Sequence, residues 1–300
     1  MSSFNRLFTA VIASTCDDAR SALLSRACES VRAMARGHDY SILVVANGPR
    51  VSPQVLDWLA TNQDVRVIRL RSGSYPLARR VGAEMAESEF LGFLDDDDEL
   101  MPDTLAPKIC EFREHPDVDV IVTDGLRVSD ATETRILPPP EARSADLVET
   151  MMSVGWGAGS LTLRTSNIDL SAFDPDFRHL EWTLTAFALA RHHRFAILDQ
   201  PMYRYYENTP DSLSKSAEYG VAAPSVWQRL SEVYSGTRYE PMVRRRYGLE
   251  CHWNSVRCAR QGRLRDAWRF HAESLRSPGA ASFIPYSAKL GLRSLRALLP

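Results

Sequence analysis

Hydrophobic and polar positions alternate in blocks over the first 125 residues. Short apolar runs rich in branched side chains are typical of buried strands, and longer segments with apolar residues every three or four positions are typical of amphipathic helices. The short runs predict strands over residues 7–13, 41–45, 65–70, 90–94 and 118–122. The longer segments predict helices over residues 20–34, 53–60, 77–86 and 102–113. Ser52 is the predicted side-chain cap of the second helix. Strands and helices that alternate at this spacing predict an α/β fold with a mostly parallel sheet.

The pattern is less regular after residue 125. It predicts a helix over residues 181–191, short strands over 195–198 and 202–206, and a glycine-rich loop around Trp156. From Pro224 onward the chain shows only helical spacing. We therefore predict one α/β domain over residues 1–215, divided into halves 1–125 and 126–215, and a helical C-terminal region over residues 216–300.

The last predicted helix, over residues 288–299, is amphipathic. Lys289, Arg293 and Arg296 lie on one side of it, and leucines occupy much of the rest. From Gly236 to Pro300 the chain has thirteen Lys and Arg against four Asp and Glu, although its net charge is -2. A basic amphipathic helix indicates peripheral contact with an anionic membrane, or packing against the protein's own surface. The sequence leaves both interpretations open.

Cysteine usage predicts the compartment. The chain has five cysteines, an odd number, and no Cys-x-x-Cys pair. This usage favours a reduced, cytoplasmic protein without disulfides or structural zinc. No apolar run approaches the ~20 residues that a membrane-spanning helix needs, so any membrane contact is expected to be peripheral, on the inner face.

The strongest chemical signal is four consecutive aspartates, Asp95, Asp96, Asp97 and Asp98, directly after the strand over residues 90–94. Ligands of parallel sheets bind at the carboxyl ends of the strands. Adjacent carboxylates repel one another by ~1 kcal/mol or more per pair even when screened. Mn2+ or Mg2+ would relieve the repulsion and attract a diphosphate. The alternative is a solvated acidic turn before the next helix.

The acidic segment and its surroundings resemble family 2 glycosyltransferases, which have the GT-A fold and an Asp-x-Asp signature. The segments that carry the resemblance are, in chain order, residues 11–15 with Arg20, residues 44–48, residues 78–82 and residues 93–102. The resemblance covers residues 8–125 well and is thinner up to about Ser214. It implies a Rossmann-like nucleotide-diphospho-sugar transferase, with a nucleotide-sugar binding half over residues 1–125 and an acceptor half over 126–215.

The resemblance also implies roles for individual residues. Asp97 would be the main metal ligand, and Asp95 would contact the ribose or the metal, with Asp96 and Asp98 assisting nearby. The other residues expected to line the base, ribose and phosphates of the nucleotide-sugar donor are Ser14, Thr15, Arg20, Asn47 and Arg79. A guanidinium such as that of Arg79 suits phosphate on chemical grounds too, because it binds two oxygens at once.

In inverting members of the family, a carboxylate in the second half deprotonates the acceptor hydroxyl. Glu181 aligns with this base, and Leu180 replaces the acidic residue that precedes it. A carboxylate within hydrogen-bond reach of a hydroxyl can act as a general base, but Glu181 could also only cap the helix that follows. Trp156 and Trp182 are candidates for stacking on a sugar ring or for ordinary core packing.

The implied function is inverting, metal-dependent, hexosyltransferase-type transfer of a sugar from a nucleoside diphosphate, with UDP favoured, to a hydroxyl acceptor. The acceptor would be a glycan or a lipid-linked molecule in polysaccharide biosynthesis, and nucleic acid is not an expected partner. Three positions depart from the family pattern: Ala46 where an Asp is common, Asn208 where some relatives have His, and Tyr206 where Arg is frequent. They leave open a catalytically degenerate scaffold or sugar-binding module.

Other enzyme classes fit the pattern less well. A nucleotidyltransferase would usually have a glycine-rich basic loop after its first strand, which is absent here. An Asp-x-Asp phosphatase would have its pair on the first strand, whereas this cluster follows the fourth. A dinucleotide-dependent dehydrogenase is disfavoured because no Gly-x-Gly-x-x-Gly follows a strand.

Overall fold

The computed structural model describes residues 6–130, 132–144, 146–153, 158–174, 176–209 and 217–297. The chain divides into two compact units, Met1–Asp211 and Ser212–Pro300. The predicted domain boundary after residue 215, and the predicted loop around Trp156, lie outside the described residues.

One mixed sheet organises the first unit. Its strands are β1 (Arg6–Ser14), β2 (Tyr40–Asn47), β3 (Val65–Leu70), β4 (Ser88–Asp95), β5 (Glu99–Leu100), β6 (Val120–Ser129), β7 (Thr132–Arg135), β8 (Leu161–Arg164) and β9 (Phe195–Tyr206). The order across the sheet is β3-β2-β1-β4-β8-β6-β9-β5, with β7 paired to β6. Strands β1 to β4 are parallel, as predicted, and β6 is parallel to β9, whereas β5, β7 and β8 pair antiparallel to their neighbours.

The helices of the first unit are α1 (Ser21–Met34), α2 (Pro53–Ala60), α3 (Tyr75–Glu84), α4 (Leu105–Glu114), α5 (Leu147–Ser153) and α6 (Glu181–His192). The predicted start of α4 at residue 102 is wrong, because Asp103 has a left-handed backbone with φ of 59° and donates its N–H to the Ala33 carbonyl. Ser52 stands at the N-cap of α2, but its hydroxyl hydrogen-bonds Gln54 Oε1 and caps no backbone N–H.

The register of the parallel strands brings their carboxyl ends to one edge. Ser14 on β1 lies opposite Ala46 on β2, and Ala13 lies opposite Asp95 on β4. The apolar side chains of these strands pack against α1 and α2 in a buried core that includes Phe8, Ile12, Leu24, Ile42, Val44, Leu59, Phe90 and Leu94. The aspartates therefore begin where this packed core ends.

The two short strands predicted over residues 195–198 and 202–206 form one continuous strand, β9. Its pairing with β6 shifts register on both sides of Asp124, where Asp124 lies opposite Pro201. Proline cannot donate a hydrogen bond to a neighbouring strand, and such positions are typical of bulges. The sequence break at Pro201 is thus a bulge in one strand and not a turn between two strands.

The described part of the second unit is helical, as predicted. It contains α7 (Ala217–Val233), α8 (Glu240–Arg260), α9 (Leu264–Leu275) and α10 (Ile284–Arg296). Cys258, Ala259, Ala267 and Leu290 form a small apolar core among α8, α9 and α10. None of the helices described in either unit is both long and apolar enough to cross a membrane.

Candidate active site

The four aspartates form a tight turn at the end of β4. The Asp98 N–H donates to the Asp95 carbonyl at 3.1 Å, which closes the turn. Asp96 and Asp98 are each 1% exposed, whereas Asp95 and Asp97 are partly exposed. The turn therefore directs two carboxylates into the protein and leaves two accessible at the ligand edge of the sheet.

Arg20 holds the inward-facing Asp96. Its Nε donates to Asp96 Oδ2 at 3.2 Å, its Nη2 bonds the other oxygen, and Nη2 also lies 3.3 Å from Asp97 Oδ2. Asp17 fixes the backbone of Arg20 by accepting its N–H at 3.0 Å. Burial raises the pKa of Asp96, although the bonds from Arg20 oppose this effect.

Arg79 on α3 joins two carboxylates from different parts of the chain. Its Nη2 donates to Asp95 Oδ1 at 2.7 Å, and its Nη1 donates to Glu181 Oε1. The guanidinium is buried and lies 4.4 Å from the ring centre of Trp182. Burial alone would lower the pKa of Arg79, but the charges of Asp95 and Glu181 outweigh it and raise the pKa. Arg79 thus stays charged and links the acidic turn to α6.

A left-handed residue places Glu181 at the start of α6. Leu180, at the N-cap, has φ of 58° and ψ of 22° and makes no side-chain cap. For a residue with a Cβ this conformation costs on the order of 1 kcal/mol. The bend sets Glu181 in the first turn of the helix, against Arg79. This is the position that the resemblance implied for the base.

Asp98 is buried with one oxygen unsatisfied. Its Oδ1 accepts the N–H of Tyr206 at 3.0 Å, but its Oδ2 has no hydrogen-bond partner among the described residues. Burial, followed by the charges of Asp95 and Asp97, raises its pKa well above the usual range. Burial and the charge of Asp95 also raise the pKa of Asp97 to about 6. The four aspartates and Glu181 are therefore only partly neutralised by Arg20 and Arg79.

This cluster of carboxylates fits a hard divalent cation, which would favour their charged forms. Mg2+ is usually held by one or two carboxylates together with substrate phosphates, so Asp97 and Asp95 could hold it without a complete protein cage. Among the described residues, three potential ligand groups converge within 4.8 Å only at Glu111, Glu114 and His115, at the end of α4. That cluster is largely exposed, and nothing there indicates a bound ion.

The remaining predicted donor-binding residues lie at the same edge but contact different groups. The Ser14 hydroxyl hydrogen-bonds Asp96 and accepts the Cys16 N–H. Thr15 donates to Asp17 at 3.0 Å. Asn47 Oδ1 accepts the Ser74 N–H at 2.7 Å, which joins the end of β2 to the start of α3. Ser14 thus belongs to the acidic cluster, while Thr15 and Asn47 organise the loops beside it.

Two further residues at the site were not predicted from the sequence. Tyr75 lies one helical turn before Arg79, and its partly buried ring is 5.9 Å from the guanidinium. The four-residue spacing on one helix could have indicated this contact. Arg26 on α1 donates to the Asp97 carbonyl at 2.5 Å and pairs with Glu99 at 2.9 Å. No local sequence pattern predicts that Arg26 lies at the site.

The positions that depart from the family pattern are occupied in specific ways. Tyr206 lies under Arg26, whose guanidinium carbon is 4.2 Å from the ring centre. The Asn208 side chain donates to Asp130 at 3.0 Å and to Ser129, and not to the aspartate turn. Trp182 packs edge-on against Phe93 and supports Arg79. It is a buried core aromatic, and the other stacking candidate, Trp156, lies outside the described residues.

Comparison with known proteins identifies relatives in sequence and in structure. The family described as "Glycosyl transferase family 2" matches residues 11–168, more than half of the chain. The "Uncharacterized glycosyltransferase EpsJ" of Bacillus subtilis (strain 168) is 26% identical over 193 residues, which are 59% of this chain and 55% of that protein. The chain therefore matches about half the length of this relative.

Solved structures of TarS from S. aureus share the fold. TarS 1–349 alone has a TM-score of 0.68 at 14% identity and covers 91% of this chain and 81% of its own. TarS 1–349 in complex with UDP-GlcNAc has a TM-score of 0.63 at 16% identity, with 82% of this chain and 72% of its own covered. At these identities the likeness concerns the fold, and it confirms the predicted GT-A class.

Proposed function

The chain belongs to glycosyl transferase family 2, and we propose that it is a metal-dependent, inverting enzyme that moves a sugar from a nucleoside diphosphate to an acceptor hydroxyl. The observation that carries this proposal is the double ion pair of Arg79. One buried guanidinium binds Asp95 of the acidic turn and Glu181 of α6. It thereby sets the carboxylates assigned to donor binding and to proton removal beside each other.

The donor is proposed to bind across the carboxyl ends of β1, β2 and β4. Ser14, Thr15 and Asn47 would face the nucleoside, and Arg20 would lie beside its ribose and phosphates. A UDP-sugar is the favoured donor because the fold relative TarS was solved with UDP-GlcNAc. Asp97, assisted by Asp95, would hold Mn2+ or Mg2+, and a cation bound there would supply positive charge for the leaving diphosphate.

Glu181 is the proposed general base. It contacts Arg79 through Oε1, and its Oε2 makes no hydrogen bond to any residue in the described part of the chain. Arg79 would thus fix the orientation of the carboxylate while Oε2 accepts the proton of the acceptor hydroxyl. The acceptor oxygen would then attack the anomeric carbon opposite the leaving diphosphate and invert its configuration. Arg79 would also help to keep the donor phosphates in place through its remaining N–H groups.

The acceptor is proposed to be a glycan or a lipid-linked molecule in polysaccharide biosynthesis, used at the cytoplasmic face of a membrane. The competing proposal is a catalytically degenerate scaffold or sugar-binding module. Its support is the apolar Ala46 and Leu180, together with Asn208, which binds Asp130 instead of the acidic turn. The retained pair of Asp97 and Glu181 favours the enzyme.

The test measures UDP release from a panel of UDP-sugars with Mn2+, with Mg2+ and with chelator, in parallel with calorimetry of nucleoside diphosphates. We expect one donor to show metal-dependent release, and chelator to reduce both release and binding. Nucleotide binding without turnover on any donor and acceptor pair would favour the scaffold. If no nucleoside diphosphate binds in the presence of Mn2+, the enzyme proposal is wrong.

A further inference from the structure

Helix α10 buries one narrow side within the second unit. Leu290 is 1% exposed and belongs to the small core with α8 and α9. On the same side, Ser287 hydrogen-bonds His271 at 2.7 Å and Tyr286 packs edge-on against the same ring. These contacts fix how the helix is rotated about its axis, and so determine which side chains face outward.

The outward side carries an apolar stripe. Ile284, Ala288, Leu292 and Leu295 follow one another at intervals of four, four and three residues, which places them on one face. Ile284 is 58% exposed, Leu292 59% and Leu295 62%. Single exposed apolar residues are normal on protein surfaces, but a stripe along successive turns of one helix indicates an interaction surface.

A row of cations flanks this stripe. Lys289, Arg293 and Arg296 lie next to one another along the helix, and all three are exposed. None forms an ion pair with any residue in the parts of the chain that the structure describes. The sequence from Ser277 to the end of α10 contains no Asp or Glu. The flank is therefore uniformly positive and lacks internal neutralisation.

An indole lies at the other border of the stripe. Trp268 on α9 is 40% exposed, and its N–H donates to the hydroxyl of Ser294, the neighbour of Leu295 in the sequence. Tryptophan favours the boundary between water and hydrocarbon, because its ring is apolar and its N–H is polar.

We infer that this surface, formed by the apolar stripe, the cationic row and Trp268 and hereafter called the α10 face, docks on an anionic lipid bilayer. A bilayer offers hydrocarbon and negative headgroups side by side, which matches leucines beside unpaired cations. A second copy of the chain is a poorer match, because a two-fold interface would bring the same cations together. The inference goes beyond sugar transfer and does not depend on the donor or the acid–base chemistry.

The experiment sediments the full chain with vesicles of phosphatidylcholine alone and with vesicles that also contain phosphatidylglycerol. We expect binding to the anionic vesicles that decreases with added salt. The variant Lys289→Gln/Arg293→Gln/Arg296→Gln should lose on the order of fivefold in partition coefficient per cation. The variant Leu292→Ser/Leu295→Ser, which keeps the charge, should lose on the order of tenfold or more.

Matched controls separate the α10 face from general charge and folding effects. Arg36→Gln/Arg66→Gln/Arg113→Gln removes the same number of exposed cations from the first unit and should leave vesicle binding unchanged. Circular dichroism and nucleotide binding should be the same for all variants, which shows that each has folded. Equal losses in the control and α10 variants would overturn the inference. So would equal binding to neutral and anionic vesicles, or dimerisation in sedimentation velocity that Leu292→Ser/Leu295→Ser abolishes.

Discussion

Two buried aspartates of the first unit differ in how fully their oxygens are hydrogen-bonded. Asp124 on β6 is fully buried, and both of its oxygens are bonded: Oδ1 accepts the N–H groups of Gly125 and Leu137, and Oδ2 accepts Arg135 Nε. Asp98 is 1% exposed, yet its Oδ2 has no partner in the described part of the protein. Buried polar groups are normally satisfied. The saturated carboxylate of Asp124 is accounted for by its structural contacts, whereas those contacts leave one oxygen of Asp98 unexplained.

The surroundings of the two residues reinforce the contrast. Arg135 also pairs with Asp199 at 2.7 Å, and Arg143 joins the same carboxylate, so charges of both signs alternate around Asp124. At Asp98 the like charges of Asp95 and Asp97 raise the pKa, and the opposite charge of Arg26 has a smaller, lowering effect. The fold tolerates this repulsion at the carboxyl edge of the sheet, where a divalent cation would relieve it.

The largest expected effect on sugar transfer comes from replacing Asp97, the accessible carboxylate beside Asp98. Asp97→Ala should abolish metal-dependent donor binding and reduce transfer by on the order of a thousandfold or more, because the cation loses its main ligand. Its stability without metal should not fall, since one of several like charges is removed. Calorimetry with UDP and Mn2+, together with thermal unfolding, measures both. Unchanged Mn2+-dependent binding would contradict the assignment of Asp97.

Glu181→Gln should separate binding from transfer. The amide keeps the size of the side chain and a hydrogen bond to Arg79 but cannot accept the acceptor proton, so kcat should fall by on the order of a hundredfold to ten-thousandfold. Donor affinity should change little. Steady-state kinetics and calorimetry on the same preparation check this, and wild-type turnover would refute Glu181 as the base.

The comparison itself is tested by one substitution made at both positions. Asp124→Asn replaces the oxygen that faces Arg135 by an amide donor, and should cost about 2 kcal/mol in the free energy of unfolding. The partial exposure of Arg135 keeps this cost below that of a fully buried pair. Asp98→Asn removes like-charge repulsion and should leave stability equal or higher. Urea unfolding of both variants without metal measures the difference, and equal destabilisation would break the comparison.

Lys108 shows the same difference between paired and unpaired buried charges, with a smaller expected effect. Lys108 on α4 is 1% exposed, has no ion-pair partner among the described residues, and burial lowers its pKa from 10.5 to about 8. The unfolded chain then binds more protons between these two values, so stability should rise with pH across that window. Below pH 8 the buried, charged Lys108 lowers the free energy of unfolding by the full amount of about 3 kcal/mol.

Lys108→Met should therefore stabilise the protein at pH 7 by on the order of 1 to 3 kcal/mol, and the gain should shrink as pH approaches 10.5. Urea unfolding at several pH values measures it, with Lys108→Arg as the control that keeps the charge and should not stabilise. A gain independent of pH would show that packing, not charge, is responsible.

Local pattern determined much of this protein. Strands β1 to β4, their mutually parallel direction, the helices between them and the position of the aspartates at their carboxyl edge follow from periodicity and chain alternation, whereas β5 and the start of α4 did not. Glu181 at the start of α6 was also predicted, through the resemblance to the family. These features are predictable because each depends on residues within one or two turns or strands, where spacing alone fixes the face and the end of an element.

Tertiary structure decided which charges meet and which stay unpaired. Arg79 binding Glu181, Arg26 reaching the Asp97 carbonyl, and the unsatisfied oxygen of Asp98 all depend on contacts between residues far apart in the sequence. The bulge that makes β9 continuous likewise depends on β6, and the outward direction of Leu292 and Leu295 depends on how Leu290 and Tyr286 pack. Sequence spacing sets what each element can present, whereas packing between elements fixes which partner each side chain meets and how far water is excluded.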